Sequence, residues 1–178
     1  MSEDVIRSAY HEKEMSMARL KATMQHVIQS TVYTCLRGPR PSGAILYISM
    51  EHSAGMYPVY GHVVTPHLGI KSCETLGECM MENNHCVRCL HAEVSAIMAA
   101  ARIGLGTVDG VMFSINKPCY NCSLHIIAAG IKKIYYAYAV YDEDRTREAL
   151  EVAGVECIHI QVDKSLTVKI DGVTVHGG

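Results

Sequence analysis

Helical and strand patterns alternate from residue 91 to residue 160, and this alternation restricts the fold more than any other feature of the sequence. The helical stretches each stop at a glycine, at Gly104, Gly130 and Gly154. The apolar runs that predict strands are VDGVMFSI, KKIYYAYAV and VECIHI. Such alternation is typical of a mostly parallel or mixed sheet with helices packed on its faces. We therefore expect a three-layer α/β/α fold.

The remaining sequence adds one helix, two strands and a tail. A helix with methionines on its apolar face is predicted within residues 12–32, and GAILYISM and YPVYGHVV predict a strand pair. The central sheet is then expected to be mixed, with about five strands in one domain, residues 1–162. In residues 163–178, two alternating runs flank Asp171-Gly172, a dipeptide that favours a tight turn. We expect a C-terminal β-hairpin there.

Charge and apolar content argue against two classes of function. The 16 basic and 18 acidic residues give a net charge of −2 without blocks of either sign, so we expect no polynucleotide partner. The sequence has no signal-peptide core and no apolar run of ~20 residues, so we expect a cytoplasmic protein without a membrane span. In that reducing compartment, eight cysteines favour metal binding or chemistry over disulfides.

Two short motifs stand at the predicted starts of successive helices. His91-Ala92-Glu93 opens one helix, and Pro118-Cys119-Tyr120-Asn121-Cys122 opens the next. Two helix N-termini can direct His91, Cys119 and Cys122 to one point, where the helix dipole favours the thiolate form that binds zinc. Three protein ligands leave a tetrahedral zinc with one open position, as in catalytic sites. Water bound there has its pKa lowered to ~7.

Glu93 follows His91 too closely to be an easy fourth ligand, but it is well placed to exchange protons with such a water. The alternative for Glu93 is an acid of the first helical turn that the dipole stabilises. For Cys119 and Cys122 alone, the alternative is a helix cap or a structural zinc site. The complete set of HxE, strand and PCxxC is more specific than a CxxC pair.

These motifs resemble the H-x-E…P-C-x-x-C signature of zinc-dependent nucleotide deaminases. Within the cytidine and deoxycytidylate deaminase superfamily, the sequence is most similar to dCMP deaminases of bacterial and phage type. The similarity spans roughly residues 14–160 and includes GAILYI, the HCVR run before HAE, PCxxC and AAGIKKIYY. It implies a cytidine-deaminase-like fold for the 1–162 domain.

The resemblance also implies an activity and partners. Hydrolysis would convert dCMP to dUMP and ammonia, which supplies dUMP for thymidylate synthesis. A zinc-activated water would attack C4, Glu93 would carry a proton to ring N3 and then to the departing amine, and the Ala92 backbone would contact the base edge. A homo-oligomer, often a hexamer, and dCTP or dTTP effectors with Mg²⁺ are further expectations from the family.

Residues 65–90 form a cysteine-rich insert without a sustained period. Once His91 is assigned to the catalytic zinc, the soft ligands that remain here are Cys73, Cys79, His85, Cys86 and Cys89. Since some dCMP deaminases similarly carry an extra zinc in this insert, we expect a structural zinc at Cys73, Cys79, His85 and Cys86, with Cys89 in reserve. The alternative is a set of reduced cysteines that pack as small hydrophobic residues.

Several residues are candidates for contact with a nucleotide. Arg88 could bind the phosphate bidentately, although an ion pair is an equal alternative. Arg37 and Arg40 could also bind phosphate, but a solvated loop is the better interpretation. Tyr120 and Tyr136 could line or stack on the base, and Tyr136 equally suits core packing.

Two places depart from the family pattern. Where many dCMP deaminases have a GYNG-like loop, this chain has Gly61-His62-Val63-Val64, so His62 and Val63 occupy the candidate sugar or effector loop and an amide is replaced by valine. The strand before PCxxC ends Ile115-Asn116-Lys117 instead of a threonine-containing version. Effector control, and strict choice of dCMP over dCTP or a modified cytosine nucleotide, are therefore open.

Interpretations from three classes remain. We favour an enzyme that deaminates a free nucleotide. A deaminase of RNA or single-stranded DNA is the second enzyme class, and the acidic balance disfavours it. A zinc-binding module without catalysis is the third.

Overall fold

The computed structural model describes residues 16–29, 42–49, 56–64, 71–82, 85–139, 143–162, 168–170 and 173–175. At Glu74, at His85 and in the last two stretches it describes the backbone alone. The candidates Arg37 and Arg40 and the Asp171-Gly172 turn lie outside the described residues.

Helices and strands follow the predicted order. The helices of the described residues are α1 (Met17–Gln29), α2 (Cys73–Leu76), α3 (Ala92–Arg102), α4 (Tyr120–Ala128) and α5 (Asp144–Val152). The strands are β1 (Gly43–Ser49), β2 (Met56–His62), β3 (Met81–Glu82), β4 (His85–Cys86), β5 (Val111–Asn116), β6 (Lys133–Tyr138), β7 (Glu156–His159), β8 (Val168–Ile170) and β9 (Val173–Val175). Helices α3 and α4 end before Gly104 and Gly130, whose φ of +72° favours glycine.

A mixed sheet forms the centre of the fold, as predicted. In the described part of the chain it has five strands in the order β2-β1-β5-β6-β7. Strand β1 pairs antiparallel with β2 and β5, whereas β5, β6 and β7 are parallel. The carboxyl ends of the three parallel strands therefore share one end of the sheet, where open α/β sheets bind ligands.

Apolar side chains divide between the two faces of the sheet. Helix α1 buries Leu20, Met24, Val27 and Ile28 against one face, in a cluster that includes Phe113. Helices α3, α4 and α5 cover the opposite face, in a cluster that includes Met112 and Ile134. Because side chains alternate along a strand, Ser114 and Asn116 share the face of Met112. The predicted three-layer α/β/α fold is confirmed.

Short elements order the cysteine-rich insert and the tail. The single turn of α2 precedes β3 and β4, which pair antiparallel with Met81 opposite Cys86. An isolated bridge joins Val64 to Leu90. In the tail, β8 and β9 pair antiparallel as the expected hairpin. None of the described helices has the length and apolarity that crossing a membrane requires.

Candidate active site

Two helix starts place metal-binding side chains next to each other. His91 is the residue before α3 and Cys119 is the residue before α4, and both have extended backbone with ψ of 157° and 167°. Neither side chain caps its own helix by a hydrogen bond. Cys122 lies one turn into α4, on the same side as Cys119. The start of each helix therefore leaves its His or Cys side chain for other partners.

The three donor atoms lie at the spacing of a tetrahedral zinc site. His91 Nδ1 is 3.4 Å from Cys122 Sγ and 3.6 Å from Cys119 Sγ, and all three lie within 4.8 Å of one another. Zinc at ~2.3 Å from sulfur and ~2.0 Å from nitrogen would separate a nitrogen and a sulfur by about 3.5 Å. In the described residues, no fourth Cys, His, Asp or Glu joins this group. The donors therefore fit zinc with one position left over.

Glu93 lies beside this group in the first turn of α3, and its side chain is only 4 % exposed. The Ser114 hydroxyl donates a hydrogen bond to Glu93 Oε1 (3.2 Å), and the Cys122 thiol donates to Glu93 Oε2 (3.7 Å). Burial raises the pKa of Glu93 above its ordinary value. A carboxyl group in this environment can alternate between charged and neutral forms, as proton transfer requires.

The two thiols of the group have pKa shifts of opposite sign. The hydrogen bond with Cys122, supported by that with His91, lowers the pKa of Cys119 to about 3. The same bond with Cys119, together with burial, raises the pKa of Cys122. The bond with Cys119 also raises the pKa of His91. The group thus favours the thiolate form of Cys119, and a metal cation that binds all three donors would release their remaining protons.

Strand β2 packs very closely on the first turn of α3. A β-carbon at Gly61 would lie 2.0 Å from the Ala92 carbonyl oxygen and 2.6 Å from the Ala96 backbone nitrogen. Such contacts with backbone atoms leave no room for a side chain. Gly61 therefore supports the position of the helix start that carries His91 and Glu93. In the sequence, Gly61 is notable only as the first residue of the GYNG-like loop.

A second cluster of metal-binding side chains, made of three cysteines, lies in the cysteine-rich insert. Cys73 Sγ is 3.5 Å from Cys86 Sγ and 3.7 Å from Cys89 Sγ, and the three sulfurs lie within 4.8 Å of one another. Burial, followed by hydrogen bonds with Cys86, Cys89 and Cys79, raises the pKa of Cys73 to about 12. The structure thus brings in Cys89, which the sequence had placed in reserve. The side chain of His85 lies outside the described residues.

Backbone hydrogen bonds hold the segment that joins the cysteine cluster of the insert to His91. Val87 N donates to Met80 O (2.8 Å), next to the pairing of Met81 with Cys86. Leu90 and Val64 exchange bonds of 2.8 Å and 3.2 Å. Because Leu90 stands between Cys89 and His91, the two thiol groups are joined by one ordered stretch of backbone.

Other predicted contact residues have identified neighbours. Arg88 Nη1 donates to the Glu78 carbonyl oxygen inside the insert (3.3 Å). The Tyr136 ring lies 5.3 Å from the His159 ring, and Lys117 Nζ lies 6.0 Å from the centre of the Tyr136 ring. These contacts show that Arg88 and Tyr136 already have protein partners, without assigning either of them to a nucleotide.

Tyr120 directly follows Cys119, and its ring packs against the guanidinium group of Arg145. The guanidinium carbon of Arg145 lies 4.8 Å from the centre of the Tyr120 ring, and Arg145 Nε donates to Glu143 Oε2 (2.6 Å). Among the described residues, the two Nη nitrogens of Arg145 have no hydrogen-bond partner. No motif in the sequence links Arg145 to the PCxxC helix, so this contact could not be predicted from the sequence.

The GYNG-like loop contributes His62 at the end of β2. Its Nδ1 is buried without a hydrogen-bond partner in the described residues, and burial lowers the pKa of its ring. Val63 is half-buried beside it. Neither residue is assigned to sugar or effector by these contacts.

Comparison with known sequences relates this site to a family. Residues 66–138 match the cytidine and deoxycytidylate deaminase zinc-binding region. ComE operon protein 2 of Bacillus subtilis is 34% identical over 88 residues, which cover 49% of this chain and 47% of that protein. Deoxycytidylate deaminase of Enterobacteria phage T4 is 34% identical over 73 residues, 40% of this chain and 37% of that protein. The chain thus spans less than half the length of these curated relatives.

Solved structures support the fold over a longer stretch. The dCMP deaminase of cyanophage S-TIM5 in apo form is 25% identical with a TM-score of 0.53, and the match covers 80% of this chain and 95% of that one. The same enzyme in complex with dCMP and dUMP is 22% identical with a TM-score of 0.51, covering 89% and 98%. The chain has the cytidine-deaminase-like fold.

Proposed function

We propose that the chain is a zinc-dependent hydrolase that converts dCMP to dUMP and ammonia, because residues 66–138 match the cytidine and deoxycytidylate deaminase zinc-binding region. The observation that carries the proposal is the convergence of His91, Cys119 and Cys122 beside the buried carboxyl group of Glu93. Relatives named deoxycytidylate deaminase, and a neighbour solved with dCMP and dUMP, support the choice of substrate. The product would supply thymidylate synthesis.

Each residue of the site has one task in the proposed reaction. His91 Nδ1 and the Cys119 and Cys122 sulfurs would hold zinc, which would supply a water of lowered pKa and stabilise negative charge. Glu93 accepts a proton from the water and delivers it to ring N3 as the bond from oxygen to C4 forms. Glu93 then transfers the second proton to the 4-amino group as the bond between C4 and nitrogen breaks. Ammonia leaves, and the ring carries the new oxygen.

Base and phosphate require separate contacts. The Ala92 backbone at the start of α3 is the proposed partner of the base edge, and Tyr120 beside Cys119 is the proposed wall of the base pocket. For the phosphate we favour Arg145 over Arg88. Arg145 lies on Tyr120 with two Nη nitrogens available among the described residues, and a guanidinium binds phosphate through such paired donors. Arg88 already donates to the Glu78 carbonyl, and its role and that of Tyr136 remain predictions.

The insert is proposed to hold a second, structural zinc. The Cys73–Cys86 and Cys73–Cys89 distances of 3.5 Å and 3.7 Å are near the ~3.8 Å that two sulfurs have on a tetrahedral zinc. Cys79 hydrogen-bonds Cys73 but lies outside the group of three sulfurs that are within 4.8 Å of one another, and it is the proposed fourth thiolate. A four-thiolate site is closed to water and therefore structural. This ligand set replaces His85 of the sequence-based prediction with Cys89.

Two further properties concern which cytosine nucleotides the chain accepts and whether nucleotides regulate it. Val63 stands where related enzymes have an amide, which supports acceptance of dCTP or a modified cytosine nucleotide as the alternative substrate. Effector binding of dCTP or dTTP with Mg²⁺ at the loop of His62 and Val63, assembly into a homohexamer and a cytoplasmic location remain predictions. So does the division into a 1–162 domain and a 163–178 tail.

A panel of substrates tests the proposed function. Purified protein with its zinc content measured is offered dCMP, dCTP, deoxycytidine, cytidine and a short single-stranded DNA, and ammonia release is followed. We expect dCMP to have the highest kcat/KM. Preference for dCTP would correct the substrate, deamination of the DNA alone would favour a polynucleotide enzyme, and no deamination with zinc bound would favour a binding module.

A further inference from the structure

Ser114 is a polar residue in the middle of an apolar strand. Its neighbours on β5 are Met112, Phe113 and Ile115, and all of them are buried. Ser114 itself is 1 % exposed. A buried hydroxyl group destabilises the fold unless it forms a hydrogen bond. The partner of Ser114 is Glu93, whose Oε1 accepts its hydroxyl hydrogen at 3.2 Å.

We propose that Ser114 is a positioning residue that holds the Glu93 carboxyl group in the orientation for proton transfer. This inference rests on the proposed deaminase function. Ser114 binds Oε1, whereas Oε2 is the oxygen that lies 3.7 Å from Cys122 Sγ and thus faces the proposed zinc ligands. Fixing Oε1 from the strand side fixes the plane of the carboxyl group and directs Oε2 to the metal side.

The position of Ser114 on the sheet makes the contact rigid. Residue 114 is paired on both sides, with Ala44 of β1 and Tyr136 of β6, so its backbone is held by two neighbouring strands. Glutamate has three side-chain torsions, and a single turn of helix does not fix them. A donor on a central strand removes that freedom, and catalytic groups need such support to stay within a fraction of an ångström of the productive geometry.

The test compares Ser114→Ala with Ser114→Thr, which keeps a hydroxyl group. For Ser114→Ala we expect kcat for dCMP to fall about 10- to 100-fold, the range for loss of one hydrogen bond to a charged group, with KM changed less than about threefold. Ser114→Thr should recover at least part of the lost kcat. Zinc content should equal that of the wild type in both variants. Thr107→Ala, which removes a hydroxyl bond to the Ala129 carbonyl on another part of the fold, serves as the control and should keep kcat.

A double-mutant cycle on stability gives a readout that needs no turnover. Ser114→Ala should shift the midpoint of denaturant unfolding in the wild type and shift it less than half as much in Glu93→Ala, because the partner is then absent. Additive shifts, or wild-type kcat in Ser114→Ala, would overturn the inference while leaving the deaminase proposal intact. An inactive wild type would instead overturn the proposed function, and the cycle would still report whether Ser114 and Glu93 are coupled.

Discussion

The Ala92 carbonyl oxygen lies only 2.0 Å from the place that a β-carbon on Gly61 would occupy. Ala92 is the first residue of α3 and stands between His91 and Glu93. The close packing of β2 on this turn therefore helps to fix the positions of His91, a proposed zinc ligand, and of Glu93, the proposed proton carrier.

Gly61→Ala is expected to move the start of α3. The added methyl group meets backbone atoms that cannot rotate away, so we expect the free energy of unfolding to fall by about 3 kcal/mol and zinc content to fall with it. Denaturant unfolding and metal analysis measure the two effects. Gly106→Ala is the matched control, because a β-carbon there meets no atom within 4 Å. Equal behaviour of the two variants would show that α3 tolerates the displacement.

Cys89→Ser and Cys73→Ser are expected to release the second zinc. Each removes one of the clustered thiols, so we expect one zinc fewer per chain and a lower melting temperature, since the proposed ion would order the insert. Cys157→Ser, a half-buried cysteine outside both groups, should keep both the metal and the melting temperature. Unchanged zinc in Cys89→Ser, with loss in a His85→Gln variant, would restore the ligand set predicted from the sequence.

Arg145→Ala is expected to weaken recognition of the phosphate. We expect kcat/KM for dCMP to fall about 10- to 100-fold while the value for deoxycytidine, which lacks the phosphate, stays unchanged. Steady-state kinetics on both substrates measure the difference. Arg147→Ala removes a neighbouring cation of the same helix, which is paired with Asp144, and should affect neither substrate. A parallel loss on dCMP and deoxycytidine would assign Arg145 to the helix packing instead.

The fold and the sites differ in how far the sequence predicted them. The fold class was predicted from local signals, namely the glycines Gly104 and Gly130 that end helices and the alternation of helices with strands. The structure confirms the predicted fold class. The proposed ligands His91, Cys119 and Cys122 were also readable, because each stands at a fixed offset from a helix start. Local pattern was therefore enough to predict that these three side chains converge.

Contacts between residues that are distant in sequence could not be predicted from the sequence. In the sequence, Ser114 is a single polar residue in an apolar strand. Its contact with Glu93 becomes visible only once β5 is packed beside α3. Cys89 was ranked behind His85 because spacing along an irregular insert does not determine which sulfurs converge. Arg145 and Tyr120 meet only after α4 and α5 have packed.

The Glu93→Gln variant tests whether Glu93 carries the protons of a zinc-dependent deamination. Glutamine keeps the size of the side chain and its contact with Ser114 but cannot accept and release the proton. Turnover of dCMP and bound zinc are measured on the same preparations of wild type and variant. We predict a loss of kcat of at least about 1,000-fold with unchanged zinc. Turnover of dCMP at the wild-type rate, with zinc still bound, would show that Glu93 is not the proton carrier.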